Sequence, residues 1–315
     1  MKIVFLERTT VTVGDMDLSP FDSLGQVVYC ESYNKEEMRD AARDADVLIL
    51  NKTVVDKAFF DACPKLKCIC LLATGYNNID LVTARERGVA VCNVPGYSTD
   101  AVAQLVFGFL LQFATSMPKY QTSVRDGIWC ASSRYTYLSW DIHELAGQTL
   151  GIVGYGGIGR KVADIGRAFG MKILVHTRTP REEAGTEFVS LEEVLRRSDF
   201  LTLHCPLTDK TKGLIGREQL AMMKPTAYLV NTSRGAVVEE QALADALNSG
   251  VIAGAGIDVL ETEPMDLSCP YRTAKNCLVT PHVGWAAKES RARLLIEVAE
   301  NIRAFAAGEK RNRVD

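Results

Sequence analysis

Four residues far apart in the chain, Arg234, Asp258, Glu263 and His282, are of the types that hold anions and move protons. An arginine presents a two-donor fork to a carboxylate, and a histidine exchanges a proton near neutral pH. A glutamate hydrogen-bonded to that histidine fixes its tautomer and favours its charged form. Each of the four follows a short apolar run. Ala227 to Val230 leads into Asn231-Thr232-Ser233-Arg234-Gly235, Ala253 to Ile257 into Asp258 and on to Glu263-Pro264, and Cys277 to Thr280 into Pro281-His282-Val283-Gly284-Trp285. A further run, Phe200 to Leu203, ends in His204-Cys205-Pro206-Leu207-Thr208. If these runs are parallel strands, their carboxyl ends share one edge of a sheet, and the residues converge there. Taken singly, each has a plainer reading: Arg234 as a loop residue, Glu263 as a helix cap, His282 as a buried structural histidine, Asp258 as the stabiliser of a turn.

The element that must position a cofactor lies upstream. Leu150 to Val153 reads as a buried strand, Gly154, Gly156 and Gly159 spell G-x-G-x-x-G, Arg160 to Phe169 reads as an amphipathic helix, and Ile173 to His176 as the next strand. The first glycine permits the tight turn, the second lets backbone approach a pyrophosphate, and the third allows close packing of helix on strand. The helix N-terminus adds unpaired N–H groups and a positive dipole end. A glycine turn that binds nothing is the bland alternative, but strand, helix and second strand all fall within about 30 residues, the context a dinucleotide site requires. At the end of the second strand an acid normally meets the ribose of NAD. Here that end reads His176-Thr177-Arg178-Thr179, without a carboxylate, and Arg178 offers a fork suited to a 2′-phosphate. This favours NADP(H) over NAD(H), unless Arg178 is simply solvated or Glu182 or Glu183 folds back. Beside a nicotinamide, Arg234, Glu263 and His282 are what reduction of a 2-oxo acid needs.

A chain of 315 residues suggests about two domains, and 47% hydrophobic and 24% charged residues with a net charge of -3 lack the basic excess of a nucleic-acid binder. Met1 to Leu6 enters a first strand with no signal peptide. The longest apolar run, Ala101 to Ala114, is too short to span a bilayer and carries Gln104 and Gln112, so no membrane is expected. Nine cysteines make an odd number with no C-x-x-C pair, which fits free thiols in a reducing cytoplasm, and the four histidines form no cluster at zinc spacing, so no metal is expected.

Residues 1 to about 99 alternate apolar runs with helical patterns and lack the glycine motif, so the expected fold is α/β with two doubly wound parallel sheets. Two loops stand out in this half. Ala73-Thr74-Gly75-Tyr76-Asn77-Asn78 follows a strand, and its backbone N–H groups either face an anion or make a plain turn. Asn93 to Asp100 precedes a long helix capped by Thr99 or Asp100 and makes a plausible hinge. Residues 116 to 148 carry Tyr120, Trp129, Tyr135, Tyr137 and Trp140, which pack on their own domain or form a subunit contact.

At Gly154-Tyr155-Gly156-Gly157-Ile158-Gly159, His204-Cys205-Pro206-Leu207, Asn231 to Gly235, Asp258-Val259 with Glu263-Pro264, and Thr280-Pro281-His282, the sequence resembles the D-isomer-specific 2-hydroxyacid dehydrogenase family over essentially its full length. Ala73 to Asp80, Gly96 to Thr99, Ala103-Gln104 and His282 to Trp285 look most like its glycerate dehydrogenases (hydroxypyruvate reductases). The resemblance implies a catalytic set of Arg234, Glu263 and His282, with His282 the proton donor during reduction. It implies substrate contacts from Thr74, Gly75, Gln104, Arg234 and His282. It implies cofactor contacts from Gly154, Tyr155, Gly156, Gly157, Ile158, Gly159, Thr177, Arg178, His204, Pro206, Thr211, Asn231, Thr232, Ser233, Asp258 and Gly284, with Asp258 on the nicotinamide carboxamide. It further implies a discontinuous flavodoxin-like substrate domain of residues 1–99 plus 286–315, closed by a helix from Lys288 to Ala307. A Rossmann-type dinucleotide-binding domain of residues 100–285 and a homodimer joined through it complete the picture. The implied reaction passes a hydride between NAD(P)H and C2 of a small 2-oxo acid, hydroxypyruvate/D-glycerate or glyoxylate/glycolate. Glu263 counts against a formate dehydrogenase. A dinucleotide-sensing, corepressor-like binding protein would retain the same motifs.

Overall fold

Val47-Leu48-Ile49-Leu50 and Cys68-Ile69-Cys70-Leu71 are buried on both faces, as parallel strands covered by helices on each side must be. In the computed structural model, which describes residues 1–315, they belong to a unit of residues 1–98 and 285–315. Its sheet takes β1 (Lys2–Leu6), β2 (Gln26–Cys30), β3 (Val47–Leu50), β4 (Cys68–Leu71) and β5 (Ala90–Cys92) in the order β2-β1-β3-β4-β5, all parallel. This is the flavodoxin-like order. Helices α1 (Lys35–Ala42), α2 (Lys57–Ala62) and α3 (Leu81–Glu86) each start on a side chain that accepts backbone N–H groups, Asn34, Asp56 and Asp80 respectively. Such caps contribute about 1 kcal/mol apiece. Met38, Phe59, Phe60 and Ala84 of these helices pack on Val4, Leu6, Leu48, Leu50 and Ile69.

Residues 99–284 form the second unit. It opens with α4 (Thr99–Thr115) and α5 (Met117–Arg125), then runs β6 (Thr149–Val153), α6 (Gly157–Ala168), β7 (Lys172–His176), β8 (Glu187–Phe188), α7 (Leu191–Arg197), β9 (Phe200–Leu203), α8 (Arg217–Met222), β10 (Tyr228–Asn231), α9 (Glu240–Ser249), β11 (Gly254–Ile257) and β12 (Cys277–Val279). The seven parallel strands lie in the order β12-β11-β10-β9-β6-β7-β8. Strand order reverses at β6, which has β7 on one side and β9 on the other, so the crevice beyond the carboxyl ends of β6 and β9 is the switch point where doubly wound sheets bind ligands. One face is covered by α7, α8 and α9 through Val194, Leu195, Leu220 and Leu243, the other by α4 and α6 through Val106, Phe107, Leu110, Val162 and Ala163.

Some boundaries differ from the sequence reading. Helix α6 starts at Gly157, inside the glycine motif, and not at Arg160. Thr99 is the first residue of α4 and not its cap. β8 is a two-residue edge strand, too short to leave a period in the sequence. Of the aromatic residues, Trp140 stacks edge-on against Tyr120 at 5.0 Å and Tyr137 at 6.1 Å, within their own unit. Trp129 and Tyr135 remain 47% and 95% exposed.

The final helix, α10 (Lys288–Ala306), belongs to the first unit, where Leu294, Leu295, Val298, Ala299 and Ile302 cover the sheet face lined by Ile3, Phe5, Cys68 and Cys70. The last residues then run antiparallel beside the edge strand β5, with Arg313 bridging Cys92 and the Val314 N–H donating to Val91 O at 2.9 Å. An exposed strand edge is thereby paired. No single helix in the chain is long and apolar enough to cross a membrane.

Candidate active site

The glycine turn sits at the switch point because three of its positions tolerate no side chain or need none. Gly154 has φ +95°, and a Cβ there would lie 2.6 Å from the backbone of His204 and Cys205. A Cβ on Gly159 would meet Gly154 O at 2.2 Å. Gly156 faces open space, with nothing within 4 Å of where its Cβ would be. It precedes the first turn of α6, whose N–H groups have no side-chain cap. Backbone donors, a positive dipole end and room for close approach together suit a pyrophosphate. Gly157 and half-buried Ile158 lie in that first turn.

Tyr155 buries its ring edge-on against Phe188 and donates its hydroxyl to Glu183 Oε1 at 2.5 Å. That bond, with Arg181 at 2.7 Å and Arg167 at 3.5 Å, holds the Glu183 carboxyl below its usual range. The Glu183 carboxyl is thus engaged by Tyr155, Arg181 and Arg167. Thr177 is half-buried, and Arg178 is exposed and forms no ion pair.

Beyond β9 and β10 the structure leaves buried polar atoms without partners. Both ring nitrogens of His204 and the hydroxyl of Thr232 are shut off from solvent and bond to nothing. Burial pushes the His204 pKa down to about 3, so its imidazole is neutral. Unpaired buried polar groups cost about 1–3 kcal/mol each. Donors and acceptors of this kind, beside an open glycine turn, fit a polar dinucleotide that supplies the missing partners. Thr211 braces its loop, donating to Pro206 O at 2.6 Å and accepting from the Thr208 N–H at 2.8 Å. Asn231 closes the next turn: its Oδ1 accepts from the Ser233 N–H and hydroxyl, and its Nδ2 donates to Arg234 O.

The loops after β10, β11 and β12 meet. A Cβ on Gly235 would fall 1.9 Å from the carbonyl carbon of Leu260, so the Arg234 turn lies directly against the loop that carries Glu263. Half-buried Arg234 donates from Nη1 to Ser233 O at 2.7 Å. Glu263 Oε1 accepts the Leu260 N–H at 3.0 Å, and Oε2 pairs with His282 Nδ1 at 2.7 Å. Nδ1 thus carries the proton shared with Glu263, and Nε2 is left for chemistry. His282 has φ 54°, in the left-handed region that a residue with a side chain adopts at a cost. Asp258 keeps it there. Its Oδ1 accepts the Thr280 hydroxyl at 2.7 Å and the Val283 N–H at 2.8 Å, and its Oδ2 the Gly284 N–H at 2.9 Å. Burial raises the pKa of this carboxyl, opposed by those three bonds and by His282.

Gln104 is exposed on α4, next to Leu105, whose side chain lies 3.3 Å from the position a Gly284 Cβ would take. Thr74 and Gly75 lie in the other unit, after β4. Thr74 donates its hydroxyl to Val94 O at 2.8 Å, and the loop's backbone bonds leave the Thr74 and Gly75 N–H groups unused. The sequence reading missed one constellation. The sulfurs of Cys68, Cys70 and Cys92 all lie within 4.8 Å of one another. Two-residue spacing in a strand put the first two on one face, but only the register of β4 on β5 brings in the third.

Residues 107–284 match the model of the D-isomer specific 2-hydroxyacid dehydrogenase NAD binding domain. Hydroxypyruvate reductase of Blautia hydrogenotrophica is 37% identical over 321 residues, covering 100% of both chains. The chain belongs to the D-isomer specific 2-hydroxyacid dehydrogenases. Another member, glyoxylate reductase of Thermococcus litoralis, is 44% identical over 276 residues, covering 86% of this chain and 83% of the relative. Among solved structures, the TT0316 protein from Thermus thermophilus superposes with a TM-score of 0.89 at 34% identity, covering 100% of both chains. The protein is accordingly a 2-hydroxyacid dehydrogenase, an oxidoreductase acting on CH–OH groups, with an NAD(P)-binding domain of the Rossmann type.

Proposed function

We propose that this 2-hydroxyacid dehydrogenase reduces small 2-oxo acids, hydroxypyruvate to D-glycerate and glyoxylate to glycolate first among them, and prefers NADPH to NADH. The observation that carries the reading is the 2.7 Å bond between His282 Nδ1 and Glu263, which orients Nε2 as the proton donor. When bound, the nicotinamide supplies the hydride that reduces C2. Arg234 pairs with the substrate carboxylate and polarises the carbonyl. His282 gives its Nε2 proton to the carbonyl oxygen, and Glu263 steadies the charged imidazole; in the oxidative direction Nε2 takes the hydroxyl proton back. The N–H groups of Thr74 and Gly75, unused by the loop's own backbone bonds, are assigned to anion binding in the substrate unit, and Gln104 to the nicotinamide side. Asp258 Oδ2 accepts a single bond, which leaves a lone pair for the nicotinamide carboxamide.

In this reading residues 99–284 form the dinucleotide unit, with Gly154 to Gly159, His204, Pro206, Thr211, Asn231, Thr232, Ser233 and Gly284 around the cofactor. Residues 1–98 and 285–315 form the substrate unit. Preference for NADPH rests on Arg178, whose guanidinium is unengaged, and on Glu183, whose charge Arg167 and Arg181 already match. Exposed apolar residues on α5 and beyond it, Met117, Val124, Ile128, Trp129 and Leu138, support a homodimer joined through this unit. Nine free thiols support a reducing, cytoplasmic setting.

The test compares initial rates on hydroxypyruvate, glyoxylate and pyruvate with NADH and with NADPH. His282→Ala lowers turnover by on the order of 10²- to 10⁴-fold, the scale of losing a general acid. Full activity in that variant overturns the assigned roles, and tight cofactor binding with negligible rates on every 2-oxo acid points to a dinucleotide sensor instead.

A further inference from the structure

The first unit holds a group of side chains that the reductase chemistry does not use. Cys68 and Cys70 project from one face of β4, and Cys70 is paired in register with Cys92 on β5. All three are buried beneath α10, in a core otherwise built from residues such as Leu295, Val298, Ala299 and Ile302. Cys68 Sγ and Cys70 Sγ are 3.7 Å apart, and every pair in the trio is within 4.8 Å. Bonded disulfide sulfurs are about 2.05 Å apart, so these are separate thiols.

The spacing has a simple geometric meaning. Three sulfurs around one ion, with metal–thiolate bonds of about 2.3 Å in a plane, stand about 4.0 Å from each other. The Cys68–Cys70 separation of 3.7 Å is close to that value, and the other two separations are no more than 4.8 Å. No histidine, carboxylate or fourth cysteine joins the group. A structural zinc site demands four tetrahedral ligands, whereas soft thiolates without harder donors select copper(I). Arg313 lies across the antiparallel bridge from Cys92 and is the nearest cation to the group, with its guanidinium paired to the Asp315 carboxylate at 2.6 and 2.5 Å.

We propose that Cys68, Cys70 and Cys92 form a buried trigonal site for one copper(I) ion. Each thiol that coordinates releases its proton to solvent, and the ion ties β4 to β5 through three sulfur bonds without any change of oxidation state. β4 leads straight into the Ala73–Asn78 loop and β5 into the Asn93–Asp100 segment, so the ion fixes the strand ends from which both loops spring.

The experiment uses the full-length chain with exposed Cys130 replaced, Cys130→Ser, to remove the accessible thiol. Copper(I) is supplied anaerobically as its acetonitrile complex and challenged with a chromogenic copper(I) chelator. One copper per chain is retained, X-ray absorption reports three sulfur neighbours and no nitrogen or oxygen, and zinc chloride offered in its place is lost to a chelator. Cys92→Ala and Cys70→Ala weaken retention by on the order of 100-fold, while circular dichroism and reductase turnover attest folding. Failure to retain copper, equal retention by the Cys92→Ala chain, or equally firm retention of zinc overturns the proposal. The absorption spectrum of the parent protein decides the matter alone if the variants fail to fold: any shell other than three sulfurs refutes it.

Discussion

Replacing Asp258 by Asn tests how the catalytic turn is held. The aspartate accepts three hydrogen bonds on two oxygens, from the Thr280 hydroxyl, the Val283 N–H and the Gly284 N–H. Asparagine has one acceptor oxygen. With that oxygen in the Oδ1 position, the amide nitrogen faces the Gly284 N–H, and a buried donor without a partner costs about 1–3 kcal/mol. The two surviving bonds fall from charge-assisted to neutral, a loss of about 1 kcal/mol each. Relief of the buried charge offsets part of this, leaving a net destabilisation of about 2 kcal/mol at neutral pH. For a unit of this size that lowers the melting midpoint by roughly 4–8 °C. His282, no longer pinned at φ 54°, relaxes away from Glu263, and kcat on hydroxypyruvate falls by about 10- to 100-fold.

The same substitution has a signature in pH. Burial raises the Asp258 carboxyl above its ordinary pKa of 3.8, so the folded chain binds this proton more readily than the unfolded one. Its contribution to stability is full below pH 3.8 and is lost as pH rises through the raised value. Urea melts across that window measure the stability gap between the wild type and Asp258→Asn, which widens on acidification. An unchanged midpoint and turnover at neutral pH, or a gap that narrows as acid is added, refutes the account.

Two further substitutions probe neighbouring parts of the fold. Arg178→Ala raises the KM for NADPH by about 10-fold or more and leaves that for NADH nearly unchanged, because only a 2′-phosphate draws on the free guanidinium; equal effects on both cofactors rule out that role. Gly235→Ala drives a methyl into the Leu260 carbonyl, 1.9 Å from its carbon, and costs 3 kcal/mol or more on the order-of-magnitude scale of overpacked sites, seen as loss of soluble protein or a much lower melting midpoint.

Apart from the two-residue edge strand β8, the strands of both sheets were legible because each is a short apolar run bounded by polar or glycine-rich turns, and the glycine motif announced its own strand and helix. Convergence of the Arg234, Glu263 and His282 loops followed from the rule that parallel strands deliver their carboxyl ends to one edge. Other features depend on contacts that no local pattern encodes. The three donors to Asp258 lie 22, 25 and 26 residues downstream, so nothing near Asp258 marks it as the anchor of the His282 turn. Gly235 reads as an ordinary turn glycine until Leu260 is seen against it. The unpaired atoms of His204 and Thr232 are likewise a property of burial, which sequence spacing does not report. Cys92 joins Cys68 and Cys70 only through strand register.

The insertion of residues 99–284 within the unit formed by 1–98 and 285–315 also sets an order of events during translation. The ribosome delivers the inner unit whole before it delivers α10, so the nascent amino-terminal sheet waits with Ile3, Phe5, Cys68 and Cys70 uncovered until Leu294 to Ile302 emerge. That interval is when chaperones have most to shield. It is also the window in which the three sulfurs are open to water, and docking of the last helix closes it.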